Sequence, residues 1–351
     1  MESSSSPNFG SCVLALDIGG ANLKASDGIA FHAARFFALW KHPDKLDDAI
    51  AELVETAPPV ATWAVTMTGE LADCYTTKRE GVSAIIDAVL AAAARRGERP
   101  RVSVYLTDGT LVAPAEAACR YLEAAASNWH ATAAFTARRF PEAGGVLIDV
   151  GSTTTDIVPF ADGRVVATGR TDVDRLRCGE LVYTGVVRSP ICSLVCAFPT
   201  TDGAIPTAQE VFATTRDAYL MLGLLPEDVD DCQTADGRPA VAEAAYDRLA
   251  RSVCADRETF SRREALQAAE YVYERQSSML RDALRCVADR LSSRPERIVV
   301  AGQGEFLAQV VAATMFPPEA IVSLGAEFGA DASRVGPAFA LARLAREASP
   351  A

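Results

Sequence analysis

Two short stretches carry the residue types needed to hold a polyphosphate. The first runs Leu14-Ala15-Leu16-Asp17-Ile18-Gly19-Gly20-Ala21-Asn22-Leu23-Lys24. The second runs Leu147-Ile148-Asp149-Val150-Gly151-Ser152-Thr153-Thr154-Thr155-Asp156-Ile157. Each is an apolar run ending in Asp, an apolar residue and Gly, then small hydrogen-bonding residues and a second apolar run. That order reads as a strand, a tight turn and a returning strand. Gly19, Gly20, Gly151 and Ser152 would let the backbone approach an anion closely. Turn N–H groups, with the side chains of Asn22, Thr153 and Thr154, can cradle phosphate oxygens. Asp17 and Asp149 are the metal candidates, each able to hold a hydrated Mg²⁺ against the same phosphates. The competing role for each Asp is to cap its own turn; the pairing of the loops favours function. Lys24, one of only four lysines, follows the first loop and could neutralise a phosphate as a point charge. A solvated strand residue is its equally good alternative. Two such loops facing each other would make a polyphosphate clamp.

The elements that must position these loops follow from periodicity. Strands are expected at 12–18, 22–27 and 30–38, then a helix near 44–56, a strand at 60–66 and a helix near 79–96. A strand at 101–107 and helices over 114–139 complete a first part. The second part begins alike, with strands near 145–150, 154–160 and 163–169 and Asp162-Gly163 as the hairpin turn. From about 171 to 257 the pattern breaks, and Gly, Pro and Thr become frequent, as in Pro199-Thr200-Thr201-Asp202-Gly203. This segment reads as an insertion that shapes a substrate site. A long helix is expected at about 259–292, a strand at 297–301, a helix at 305–314, a strand at 319–323 and a closing helix at 331–346. The order βββαβαβα occurs once cleanly and once with the insertion, so the chain is a duplication by pattern. The domains expected are a flexible tail over 1–10, a first domain over 11–140 and a second over 141–351.

At 351 residues with 49% hydrophobic and 23% charged content, the chain has ample core for one or two domains. A net charge of −12 argues against general nucleic-acid or acidic-membrane binding. No apolar run reaches the roughly 18 residues of a membrane span, and the Ser-rich start lacks the order of a signal peptide. Nine cysteines, an odd number, suit a reduced cytoplasm with most thiols in the core. Cys192 and Cys196 are the nearest approach to a metal spacing, but only three histidines exist and none is suitably placed. The sequence leaves the oligomeric state open, a homo-oligomer included.

The arrangement resembles the actin, Hsp70 and sugar-kinase superfamily. The resemblance implies an α/β fold of two ribonuclease-H-like domains around a central cleft. Val299-Val300-Ala301-Gly302-Gln303-Gly304-Glu305 looks like the element that usually contacts adenosine, with Gly302 and Gly304 at the nucleotide. A helix N-terminus there would favour an anion, and Glu305 suits the helix start. A narrower resemblance is to the hydantoinase/oxoprolinase-related proteins of tetrahydromethanopterin-linked one-carbon metabolism. It rests on both loops and on Met67-Thr68-Gly69-Glu70-Leu71-Ala72-Asp73, Gly179-Glu180-Leu181-Val182-Tyr183-Thr184-Gly185, Thr214-Thr215-Arg216-Asp217-Ala218-Tyr219 and Gly302-Gln303-Gly304-Glu305-Phe306-Leu307. These segments span nearly the whole chain in order.

The narrower resemblance implies a transferase of methanofuran-type cofactor biosynthesis. A furfuryl group would pass from diphosphate to the phenol oxygen of γ-glutamyltyramine, giving an aryl ether, with Mg²⁺ as cofactor and no ATP consumed. A phenol has a pKa near ~10, so a base or positive neighbour would help at neutral pH; Asp156, Glu70 and Asp73 are the candidates. Glu180, Tyr183, Thr184, Thr215 and Asp217 are assigned to substrate contacts, with packing the alternative for Tyr183. The wider superfamily implies a different class, an ATP-dependent small-molecule kinase or hydrolase. A non-catalytic actin-like or Hsp70-like scaffold ranks last.

Overall fold

The computed structural model describes residues 13–200 and 203–348; the tail expected over 1–10 lies outside them. By contacts the chain forms two units. The first takes in the chain up to Gly144, Val158–Asp174 and everything from Leu324, and the second Gly145–Ile157 and Arg175–Ser323.

In the first unit, β1 (Val13–Ile18), β2 (Asn22–Ser26) and β3 (His32–Phe36) form an antiparallel meander. β4 (Thr62–Met67) and β5 (Arg101–Tyr105) add in parallel on the other side of β1, and β6 (Leu111–Val112) closes the edge antiparallel. The order is β3-β2-β1-β4-β5-β6. All six residues of β1 are buried, as a strand covered on both faces requires. Its alternate side chains therefore serve two cores. Leu14, Leu16 and Ile18 pack beneath the helices Leu46–Leu53 and Lys78–Arg95. Val13 and Ala15 join Phe135 and Phe339, from the helices Asn128–Arg139 and Gly336–Ala348. Asp17 shares that second parity but stands at the strand's end.

The last of these helices departs from expectation. The sequence pattern assigns the segment after 323 to the close of the second domain, yet Gly336–Ala348 packs on β1 and on the helix Asn128–Arg139. It carries an apolar stripe of Phe339, Ala340, Leu341 and Leu344, and the first sheet has an apolar face to cover. Periodicity shows that a helix is amphipathic and does not show which sheet it serves.

A second sheet repeats the plan. β7 (Gly145–Val150) lies at the centre, beside β8 (Thr155–Ala161), whose last residues pair with β9 (Arg164–Val165). β10 (Leu181–Val182) pairs with β8, and β11 (Ala197–Thr200) forms a separate hairpin with β12 (Gly203–Pro206). β13 (Arg297–Ala301) and β14 (Ile321–Ser323) run parallel to β7, giving β10-β8-β7-β13-β14. Both sheets thus have the ribonuclease-H-like order, an antiparallel meander flanked by parallel strands.

The region read as an insertion is largely core. Its helices Thr215–Met221 and Ala242–Arg251 pack with each other and with Arg262–Ala288. Phe198, Tyr219, Tyr246 and Leu249 are buried in the same cluster as Ile148 and Val300 of the sheet. The long helix starts at a capping box in which Ser261 accepts from the Glu264 N–H while the Glu264 side chain reaches back to the Ser261 N–H.

Candidate functional site

In the first unit the antiparallel register sets Asp17 opposite Lys24, and Lys24 Nζ lies 3.8 Å from Asp17 Oδ2. The loop between them is shut by the Gly19 N–H, which donates to the Asn22 carbonyl at 3.0 Å. A Cβ on Gly19 would stand 2.6 Å from that oxygen, so the turn closes only on glycine. The Gly69 N–H, just past β4, donates to the Ile18 carbonyl at 3.0 Å. A Cβ there would lie 3.1 Å from the Gly19 carbonyl carbon. The segment after β3 consumes the loop's acceptors: Leu39 N–H donates to Gly20 O at 3.1 Å and Phe37 N–H to Ala21 O at 3.0 Å. The N–H groups of Gly20 and Ala21 make no hydrogen bond among the described residues. Carbonyls tied down and N–H groups left over make a nest suited to an anion.

The second unit builds its loop the same way. The Gly151 N–H donates to the Thr154 carbonyl at 2.9 Å, and the Gly304 N–H, just past β13, donates to Val150 O at 2.8 Å. The carbonyls of Gly151 and Ser152 accept from Val186 N–H at 3.0 Å and from Arg188 N–H at 2.9 Å. The Thr153 N–H makes no hydrogen bond among the described residues. Gly302 has φ +92° and packs against the Asp149 side chain. Gly304 packs on Val150 and Val186. The two glycines expected at a nucleotide thus stand directly against the loop.

Thr184 and Thr215 are buried in the support of this loop. Thr155 Oγ1 donates to Thr184 O at 2.8 Å, and Thr184 Oγ1 donates to Ser189 Oγ at 3.0 Å. Thr215 Oγ1 and Gln276 Nε2 both donate to Gly185 O, at 2.8 and 2.9 Å. Gly185 lies so close to the loop that a Cβ would be 2.5 Å from Gly151 O. Gln276 and Ser189 are not among the residues that the sequence points to, and Gly185 enters there only as the end of a matching segment. An uncharged polar residue on the apolar stripe of a long helix was the available signal for Gln276, which is fully buried.

The carboxylates expected near the chemistry have different fates. Asp156 Oδ1 accepts from the buried Arg175 at 2.7 Å. Glu180 is fully buried and accepts from Arg290 at 3.1 Å. Asp217 caps its helix, accepting from the Thr214 N–H at 2.8 Å, and pairs with the buried Arg248 at 2.7 Å. Tyr183 is 70% exposed and does not pack. Asp73 is exposed. Glu70 is buried, its Oε1 is 3.5 Å from Lys78 Nζ, and its Oε2 has no hydrogen-bond partner among the described residues. Burial holds the Glu70 carboxyl above the usual carboxylate range, against the pull of the Lys78 ammonium.

Among the described residues no group of three or more His, Cys, Asp or Glu side chains could hold a metal ion. A single loop carboxylate nevertheless fits Mg²⁺, which keeps several waters and shares the rest of its shell with substrate phosphates. Among the described residues no helix is long and apolar enough to cross a membrane.

A family model described as hydantoinase/oxoprolinase matches residues 61–347. The chain is similar to the (4-{4-[2-(γ-L-glutamylamino)ethyl]phenoxymethyl}furan-2-yl)methanamine synthase of Methanocaldococcus jannaschii, at 35% identity over 95% of this chain and 97% of that protein. The synthase of the same name from Methanococcus vannielii is 30% identical over 57% of this chain and 89% of its own. Among solved structures, nucleotide-free acetone carboxylase superposes with a TM-score of 0.47 at 12% identity, over 92% of this chain. The chain spans about half, 51%, of that carboxylase chain. The ethanolamine utilization protein EutJ of Carboxydothermus hydrogenoformans gives 0.43 at 13% identity, over 94% of this chain and 89% of its own.

Proposed function

The chain belongs to the hydantoinase/oxoprolinase family, and on that premise we propose that it is a transferase of methanofuran-type biosynthesis. It would join an aminomethylfuran-methanol diphosphate to γ-glutamyltyramine. The observation that carries this reading is the similarity to the M. jannaschii synthase over 95% of the chain and 97% of that protein. The product in that synthase's name contains an aryl ether between a phenol and a furfuryl carbon.

The step balances simply. The phenol oxygen forms a bond to the furfuryl carbon, and the bond from that carbon to diphosphate breaks, its electron pair leaving with diphosphate. The phenol proton passes to a carboxylate. Departure builds negative charge on the diphosphate oxygens, and fixed donors stabilise such charge without reorganising. Such donors would be the N–H groups of Gly20 and Ala21 at the first loop and of Thr153 at the second, helped by the side chains of Asn22, Ser152 and Thr154. Asp17 and Asp149 would hold Mg²⁺ through water, and the ion when bound supplies further neutralisation of the leaving group. Lys24, beside Asp17, adds a positive charge at the first loop. Glu70 is the best proton acceptor of the three considered: Asp73 is exposed, and Asp156 is engaged with Arg175.

The test is an incubation of the purified protein with Mg²⁺, γ-glutamyltyramine and the furan diphosphate without ATP. Ether product by mass spectrometry with equal diphosphate release supports the reading. No product, with ATP hydrolysed or a small molecule phosphorylated in parallel, overturns it in favour of the kinase or hydrolase alternative.

A further inference from the structure

A cavity of about 220 Å³ lies within the first unit, away from the loop glycines in sequence and lined by residues of three separate segments. Its walls are mostly apolar, with Leu122, Trp129 and Val173 and the small side chains of Ala125 and Ala126. Leu122 and Val173 are each more than half exposed, although both are large and apolar. Ala126 has φ +49°, a left-handed conformation that costs a non-glycine residue energy and recurs where a binding surface is over-determined. The adjoining Ser127 is tied to the end of β4 by a 2.7 Å hydrogen bond to Thr66.

Three charged side chains, Lys78, Arg170 and Asp172, line the same space. Lys78 Nζ stands 3.4 Å from Asp172 and 3.5 Å from Glu70. Among the described residues Arg170 has no carboxylate within ion-pair distance. Mostly apolar walls with one uncompensated cation suit a ligand that joins an apolar ring to an anionic group. The two cations can also be told apart. Lys78 leads through Glu70 to Gly69, whose N–H is bonded to Ile18 at the first loop; among the described residues no such connection runs from Arg170.

We propose that this cavity is the acceptor site: it takes a phenol bearing a carboxylate tail, with the ring against Trp129 and Leu122, the phenol oxygen at Lys78 and the carboxylate at Arg170. The assignment rests on the transferase reading for the identity of the acceptor. Lys78 passes a proton to Glu70 as it takes the one from the phenol, so the pair leaves the step with its charge on the carboxylate neutralised and its ammonium restored. Asp172 positions Lys78 and suits the ammonium of an amino-acid tail.

Calorimetric titration of the intact protein with γ-glutamyltyramine and with tyramine, which lacks the carboxylate, tests the site. Arg170→Gln alters an exposed side chain and leaves the core untouched. It is expected to weaken γ-glutamyltyramine binding about tenfold or more and to leave tyramine binding unchanged. Leu122→Trp, also at an exposed position, is expected to fill the cavity and weaken both. Lys78→Met is expected to lower kcat and to remove the acid limb of its pH profile, with KM for the furan diphosphate unchanged. Equal affinity of wild type and Arg170→Gln for γ-glutamyltyramine, or no binding to wild type, overturns the proposal. Arg170-dependent binding without ether formation would leave the cavity assignment standing and remove the transferase reading instead.

Discussion

Gly302 stands so close to Asp149 that a Cβ on it would lie 2.4 Å from Asp149 Oδ1. The end of β13 is thereby fitted to the carboxylate at the end of β7. Two constraints coincide, since Gly302 also has φ +92°. Gly302→Ala is expected to cost about 1–3 kcal/mol in backbone strain and to displace the carboxylate. Gly237, with φ +72° and nothing within 4 Å of a Cβ, is the control: Gly237→Ala carries only the backbone cost, about 1–2 kcal/mol. Thermal melts and turnover of both variants check this. Full activity in Gly302→Ala would show that the position of Asp149 is immaterial.

Asp17→Asn preserves shape and removes charge. It is expected to lower turnover by at least about a hundredfold while circular dichroism stays native. Asp149→Asn should do the same, and chelation of Mg²⁺ should reproduce both losses in wild type. Unchanged turnover in both variants would dismiss the loop carboxylates from the chemistry.

The pH dependence of stability should report Glu70. Burial raises its carboxyl above the unfolded value, so the native state keeps a proton that the unfolded state has already released. That contribution is complete below the unfolded value, near 4.5, and is lost as pH rises through the folded value. Glu70→Gln cannot ionise and escapes the loss. Its melting temperature relative to wild type should therefore climb with pH from about 4.5 upward; a difference independent of pH would contradict this.

Arg248 is fully buried, with Nε donating to Asp217 Oδ1 at 2.7 Å and Nη1 to Asp236 Oδ1 at 3.0 Å. Arg248→Met strands the buried Asp217 carboxylate and should destabilise by about 3–5 kcal/mol. Adding Asp217→Asn should recover part of that loss, because the two changes remove one shared interaction. Chemical denaturation of the single and double variants measures the coupling, and strict additivity would show that the pair contributes nothing as a pair.

Several features were open to reading from the chain alone, because their causes are local. Apolar alternation marks β1 and β7. The Asp–x–Gly turns close on themselves, Gly19 on Asn22 and Gly151 on Thr154, across three residues. The repetition of that pattern gave the duplication. What decided the rest acts over long sequence separations. Gly69 and Gly304 look like ordinary strand-end glycines until each is seen bonded to the residue before a loop glycine. Thr184 and Thr215 are far apart in sequence, yet they and Gln276 meet inside the second unit to hold Gly185. Asp156 and Glu70 are both carboxylates just past a strand or loop. Only the fold gives one a buried arginine and the other a lysine at 3.5 Å. Sequence periodicity determined which faces had to be buried. It carried no information on which distant surface would bury them, since the hydrophobic effect is non-directional; the closing helix on β1 is the clearest case.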